Sequence, residues 1–326
     1  MNCHSTGNVN GFTNVGGLAG DNSEGVIENC YSNGIVSGDS EIGGLVGNNS
    51  GFIKNSSSDT GISAGTLAGG IVGSNSGTID DTHSTGYISG YEKLGGLAGF
   101  NNGILMSCYS TANINGDLNV GGLAGFNLDG TITNCYATGN IYGRMSAGGL
   151  VGQNSGSSSV TNCYSVNNIT GYESIGGLIG SNESSINKCY SSGIVSGTME
   201  VGGLVGWNLD EGSISNSYSR NNVLAGQWAG GLVGINNGSI NKCYSTGSVT
   251  GTELTVGGLT SLNYGTVSAA FWDIETSGQT ESVAGTGKTT ADMKKKTTFS
   301  SAGWDFQSIW KITENQDYPK LSWQTN

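Results

Sequence analysis

The sequence predicts an all-β protein, a right-handed parallel β-helix with about three strands per rung of 26–28 residues and a small C-terminal α+β cap. Three observations carry that expectation. The string Gly-Gly-Leu/Ile recurs ten times, beginning at Gly16, Gly43, Gly69, Gly95, Gly121, Gly148, Gly176, Gly202, Gly230 and Gly257, at intervals of 26–28 residues. Apolar residues fall into columns when the units are aligned, and two of those columns are almost wholly Ile and Val. The chain holds 59 Gly and one Pro in 326 residues, without the strict triplet period of collagen.

Each unit divides the same way. An apolar residue (Val15, Ile42, Ala68, Leu94 and their equivalents) leads into Gly-Gly-Leu. A second column follows at Ile27, Ile53, Ile79, Leu105, Ile132, Val160, Ile186, Ile214, Ile240 and Val267, and a third at Val9, Val36, Ile62, Ile88, Ile114, Ile141, Ile169, Val195, Val223 and Val249. β-Branched side chains favour strands, and glycine at this density costs a helix about 1 kcal/mol per residue. Short apolar runs bounded by Gly and Asn read as strands joined by tight turns. One such unit cannot bury its own apolar residues, so stacked units form one continuous core. At about 4.8 Å per rung, ten rungs make a rod of roughly 50 Å. Parallel crossovers set the expected hand, and propeller blades need roughly 40–45 residues.

The seven cysteines, Cys3, Cys30, Cys108, Cys135, Cys163, Cys189 and Cys243, share one position, with Ser56, Thr82, Ser217 and Ala270 there in other units. That alternation reads as an interior slot of small volume in which Cys packs as a hydrophobe. It predicts seven reduced, buried thiols, because side chains stacked in parallel are too far apart for a disulfide. Neither a Cys-x2-Cys pair nor a converging His suggests zinc. An asparagine recurs after the Gly-Gly-Leu strand, at Asn22, Asn49, Asn75, Asn101, Asn127, Asn154, Asn182, Asn208, Asn236 and Asn263. It reads as a structural corner ladder, since Asn tolerates left-handed turns and bonds along stacks of identical neighbours. The residue after the cysteine column is Tyr31, Tyr109, Tyr136, Tyr164, Tyr190, Tyr218 or Tyr244, with His4, Ser57, His83 and Phe271 elsewhere. Alternation turns this row outward, as a ligand surface or as a shield of the rod. The small residue that follows it, Ser in nearly every unit, turns inward.

The recurring Gly-Leu-x-Gly, as in Gly44-Leu45-Val46-Gly47, Gly122-Leu123-Ala124-Gly125 and Gly203-Leu204-Val205-Gly206, with its downstream Asn and Tyr-Ser, resembles the GLUG repeat family. The resemblance spans roughly residues 1–270, and the last unit departs from it at Gly258-Leu259-Thr260-Ser261. It implies a place in large secreted or surface-attached bacterial and archaeal proteins, among them adhesin-like chains and IgA-cleaving metallopeptidases. No His-Glu-x-x-His is present, and His4 and His83 are the only histidines.

Residues 271–326 differ from the repeats. They hold Trp272, Trp304, Trp310 and Trp323, the lone Pro319 and six of the twelve basic residues. Thr289 and Thr290 before Ala291-Asp292-Met293 read as a helix start with Gly303 past its end. Trp304–Phe306, Trp310–Ile312 and Tyr318–Trp323 read as short strands. This segment is expected to cap the last rung with its tryptophans on the final core layer, shielding an edge that would recruit other chains. At the other end, Met1 and Cys3 fall in the middle of a unit, which suggests either lost upstream repeats or an open docking edge.

Function follows by exclusion as much as by motif. A net charge of −12 with 12 Lys and Arg argues against binding nucleic acid, and neither a run of apolar residues long enough to span a bilayer nor a signal peptide is visible. Gly285-Thr-Gly287-Lys288-Thr289 has Ser282 where a phosphate loop needs Gly. Asp80, Asp81, His83 and Ser84 alternate faces and make no triad. The basic residues of the repeats form no shared column beyond Lys188 and Lys242, as a polysaccharide lyase would need. No cofactor or metal is expected. The expected role is a non-catalytic stalk or adhesin segment of an extracellular or cell-surface protein, partnered by itself end to end or by a surface glycan or protein. A carbohydrate- or protein-binding face is the alternative, at the corner bearing Tyr91, Arg144, Tyr172, Met199 and Trp228, where bulky variable residues interrupt a fixed scaffold. A polysaccharide-active enzyme is a third reading.

Overall fold

The computed structural model of the chain describes residues 2–252 and 255–324; Met1 and the last two residues of the expected cap lie outside it. It is a parallel β-solenoid. A 22-stranded sheet and two ten-stranded sheets run the length of the repeats; every pairing in them is parallel, and all but the last, Phe271–Asp273 with Thr286–Lys288, advance by one unit. One ten-stranded sheet is built from strands such as Val46–Asn49, the other from strands such as Phe52–Lys54. The large sheet takes the rest of each rung, in some rungs as a single strand of 13 residues (Tyr31–Gly43) and in others as two pieces (Tyr109–Ser110 and Asn113–Gly121). Three strands per rung is therefore right for the sheets, while the large sheet often contributes two segments.

Register explains the columns. Val36 pairs with Ile62, Ile53 with Ile79, and Gly43 with Gly69, so identical positions lie above one another. The interior separates into two apolar files. One holds Leu45, Val46, Ile53, the buried cysteines and their equivalents; the other holds Val36, Ile42, Ile62, Ala68 and theirs.

The three glycines of each unit stand where backbones touch. At Gly121 a Cβ would lie 2.0 Å from the Ala124 carbonyl oxygen of its own rung. At Gly122 it would lie 2.1 Å from the Gly149 oxygen of the next rung, and at Gly125 2.5 Å from the carbonyl carbon of Lys93 in the preceding one. None of the three has positive φ, so closeness, rather than dihedral freedom, demands glycine there. Between these backbones runs a brace: Ser32, Ser191 and Ser245 each donate a hydroxyl hydrogen bond of 2.7–2.8 Å to the second glycine of Gly-Gly, at Gly44, Gly203 and Gly258. The expected inward serine is thus a hydrogen-bonding strut as well as a small residue.

Two corners of every rung turn through left-handed residues that are not glycine. One file is Asn14, Glu41, Leu67, Lys93, Asn119, Ser146, Ser174, Glu200 and Trp228 (φ 51–57°); the other is Asn29, Asn55, Asp81, Ser107, Asn134, Asn162, Lys188, Asn216, Lys242 and Ala269 (φ 45–56°). The recurring Asn22-type residues belong to neither file, which corrects the expected left-handed turn at those positions.

The C-terminal segment also departs from expectation. Of the four tryptophans only Trp272 joins the core, with part-buried Ile274 packed against it, and it lies over Gly258 at the place inward serines occupy in earlier rungs. The next strand, Thr286–Lys288, pairs with Phe271–Asp273, and Ser282 Oγ accepts from the amides of Leu259 and Thr260, so the last backbone edge is partly sealed. Trp304, Trp310 and Trp323 instead lie along the side of the rod, against the tyrosines. The reason is chemical. The last core layer is narrow and takes one indole, whereas the tyrosine row offers a long aromatic flank. The single helix expected from Thr290 to before Gly303 is two short ones, Thr290–Met293 and Lys296–Ser300, each too short to cross a rung. Of the three expected strands, Trp310–Lys311 and Lys320–Leu321 form an antiparallel pair, while residues 304–306 are irregular.

Candidate binding face

The asparagine file is the most regular feature of the interior. Each Nδ2 donates to the Oδ1 of the next rung, from Asn22 through Asn49, Asn75, Asn101, Asn127, Asn154, Asn182, Asn208 and Asn236 to Asn263, in nine links of 2.7–2.9 Å. In nine of the ten, all but Asn154, the same Nδ2 also donates to a nearby carbonyl in its own turn, as Asn127 does to Gly130 at 3.1 Å. The file is thereby occupied with its own bonds.

The cysteine slot works by hydrogen bonding too. Cys108, Cys135 and Cys163 Sγ donate to carbonyls two residues back at 3.1–3.2 Å, and Cys135 and Cys163 Sγ accept the amides of Cys108 and Cys135 at 3.4 Å. Ser56 and Thr82 make the same pair of contacts, and Cys189 donates its amide to Ser217. A left-handed corner precedes each of these residues and leaves an amide and a carbonyl off the ladder. The expectation of a purely hydrophobic slot is corrected accordingly: a short side chain with both donor and acceptor fits, which is why Cys, Ser and Thr interchange. Burial pushes the thiols of Cys108, Cys135 and Cys163 well up and that of Cys243 to about 12. Cys3 is exposed, so six thiols are interior rather than seven.

The tyrosine row forms a continuous stack from His83 through Tyr109, Tyr136, Tyr164, Tyr190 and Tyr218 to Tyr244. Successive ring centroids are 4.7–5.1 Å apart and the planes agree within 9°. Ring faces are consumed by stacking, so the row presents edges and hydroxyls. Toward its C-terminal end the tail covers it: Tyr218 and Tyr244, expected outside, are buried. Tyr244 donates its hydroxyl to the Pro319 carbonyl at 2.5 Å, and Arg220 lies over the Tyr218 ring, 5.1 Å from its centroid. Burial lifts the phenol of Tyr136, takes that of Tyr164 to about 12 and raises Tyr218 further.

The corner residues expected as a binding site are brought to one side of the rod but not into one cluster. The pairing of Glu92, Leu118, Met145, Glu173 and Met199 places Tyr91, Asp117, Arg144 and Tyr172 in one file. Met199 lies one file over, and Trp228 aligns with Glu200 in the left-handed file beyond. Tyr91 and Tyr172 are 56% and 46% exposed. Arg144 is engaged in a two-pronged ion pair with Asp117, Nε–Oδ1 2.6 Å and Nη2–Oδ2 3.1 Å, which holds the carboxyl below its usual range. Sequence reading missed Asp117, whose signal was its place one unit before Arg144.

It also missed a shallow depression on the large sheet, lined by Tyr87, Asn113, Asn115, Asn140, Tyr142 and Asn168 on either side of inward Ile114 and Ile141. Tyr87 and Tyr142 are 49% and 51% exposed. The signal was available, since these residues flank the third apolar column. Asp80, Asp81, His83 and Ser84 diverge as expected: His83 joins the outer stack and Ser84 donates inward to Gly96. No group of three metal-ligating side chains occurs among the described residues, and no described helix is long and apolar enough to cross a membrane.

Four segments, residues 116–142, 143–170, 197–224 and 228–250, match the GLUG motif family. The chain carries GLUG repeats. In GLUG terms, the motif glycines are the three points of backbone contact described above, and the file of Asn side chains closes the turn that follows them. A protein of Evansella cellulosilytica named as a Gly-rich membrane protein is 39% identical over 117 residues, covering 33% of this chain and 13% of that relative. The GLUG chain thus corresponds to a small part of the relative's length. A crystal structure from Bacteroides ovatus, named as an immunoglobulin A1 protease, aligns over 93% of this chain and 88% of its own at 18% identity and a TM-score of 0.43.

Proposed function

We propose that this GLUG array is a non-catalytic stalk or adhesive segment of a larger prokaryotic surface or secreted protein. One observation carries the reading: nine consecutive amide links join every rung to the next along the rod axis, in parallel with the strand ladders. Such a rod transmits load from end to end through many bonds that must break together. The name of the Evansella relative supports placement at a cell envelope. Pulling the chain between its ends by single-molecule force spectroscopy tests it. Rungs should release in steps of about 90 Å, the extended length of 26–28 residues at ~3.4 Å each. Smooth extension without such steps would refute a load-bearing role. The depression beside Tyr87 and Tyr142 favours a second reading, a neutral-glycan contact, because phenol rings and amides without charge line it.

A further inference from the structure

The tail is seated on the rod by one contact used twice. Trp323 leans on Tyr164 and Tyr190, centroids 6.3 and 5.9 Å away, and its Nε1 donates to the Lys188 carbonyl at 3.1 Å. Trp304 leans on Phe271 and Tyr244, 6.2 and 6.3 Å away, and its Nε1 donates to the Ala269 carbonyl at 3.0 Å. Lys188 and Ala269 are equivalent left-handed corner residues (φ 56° and 49°), each two residues before the ring its indole touches. The two seats lie three rungs apart, through Asn216 and Lys242.

Three rungs in the other direction from Lys188, through Asn162 and Asn134, is Ser107, with φ 55° and Tyr109 two residues on. Tyr109 and, in the rung before it, His83 continue the same stack with the same spacing, both are part-exposed, and the described tail makes no ring contact with either. This stretch is continuous with an interface the molecule already makes. Its charge differs from that of the covered stretch: Asp80 and Asp81 lie one rung before Ser107, whereas Lys188 and Lys242 stand beside the occupied seats. The repeats as a whole carry 17 Asp and Glu against six Lys and Arg.

We propose that the uncovered stack at His83 and Tyr109 is a docking seat for a tryptophan-bearing, basic protein segment from another chain. The indole lies against the ring edges and donates its N–H to the Ser107 carbonyl, as Trp323 does at Lys188. A cation beside the tryptophan faces Asp80 and Asp81. The part of the tail that carries Trp323 has this chemistry, with Lys320 three residues earlier.

The probe is a synthetic peptide of residues 318–324, added to the intact chain and followed by NMR. Saturable binding with intermolecular NOEs from the indole to Tyr109 or His83 is expected. The peptide with Trp323→Ala should not bind, and Tyr109→Ala in the protein should weaken binding tenfold or more while Tyr264→Ala, at an exposed residue away from both surfaces, leaves it unchanged. The NOEs are read on the unaltered chain, so the assignment does not depend on Tyr109→Ala folding. Absence of saturable binding at millimolar peptide, NOEs to Tyr190 in place of Tyr109 and His83, or affinity indifferent to Tyr109→Ala would overturn the proposal.

Discussion

Asn127 shows how much one side chain is asked to do in this fold. It accepts from Asn101, donates to Asn154, donates again to Gly130, and is fully buried. Replacing it with Ala strands a donor on one side and an acceptor on the other, at about 1–3 kcal/mol for each buried group left unpaired. Asn127→Asp should cost more, because the carboxylate keeps the Asn101 bond yet offers only acceptors toward Asn154 and Gly130 and must be buried charged or protonated. Chemical denaturation of the three proteins should rank them wild type, then Asn127→Ala, then Asn127→Asp; equal midpoints would remove the file from any account of stability. The columns were legible in the sequence because one residue type repeats at one position. The bond each column makes was not. Cys, Ser and Thr in a slot told size, whereas the amide and carbonyl they satisfy exist only because the preceding corner is left-handed.

The rung is the next unit of argument. Its three glycines touch backbone of the same, the following and the preceding rung, so no single rung is complete. Gly125→Ala would drive a methyl into the carbonyl carbon of Lys93 at 2.5 Å, with backbone on both sides and nothing flexible to yield. Overpacking of this kind costs about 1–3 kcal/mol or more. The same change at Gly278, whose Cβ direction is open but whose φ is +70°, should cost only about 1 kcal/mol of conformational strain. Thermal unfolding of both variants distinguishes them, and comparable losses would show that closeness is not what fixes the motif. Rung existence, length and apolar faces were readable from period and β-branching. The two left-handed corner files were invisible, since Glu, Leu, Lys, Ser, Trp and Ala sit in them beside Asn, and register with neighbouring rungs, rather than local preference, holds them there.

At the scale of the molecule, the tail is the part sequence reading placed least well. Composition marked it as aromatic and distinct, but a row of outward tyrosines gave no sign that indoles of the same chain would cover half of it. That covering makes the molecule sensitive to base. Burial raises the phenols of Tyr164 and Tyr318 to about 12 and those of Tyr190, Tyr218 and Tyr244 also upward, against about 10 in an unfolded chain. A group whose folded pKa is raised contributes stability that is intact below the unfolded value and is lost as pH climbs through the folded one. Tryptophan emission should therefore stay blue and constant to about pH 10 and shift red between roughly pH 10 and 12 as the tail leaves the stack. A red shift complete below pH 9 would contradict it.

The asparagine file has a direction. Every link runs from Nδ2 in one rung to Oδ1 in the next, so the side-chain dipoles add along the axis instead of cancelling. The rod is electrically a vector, with an acceptor at Asn22 and its donors aimed toward Asn263.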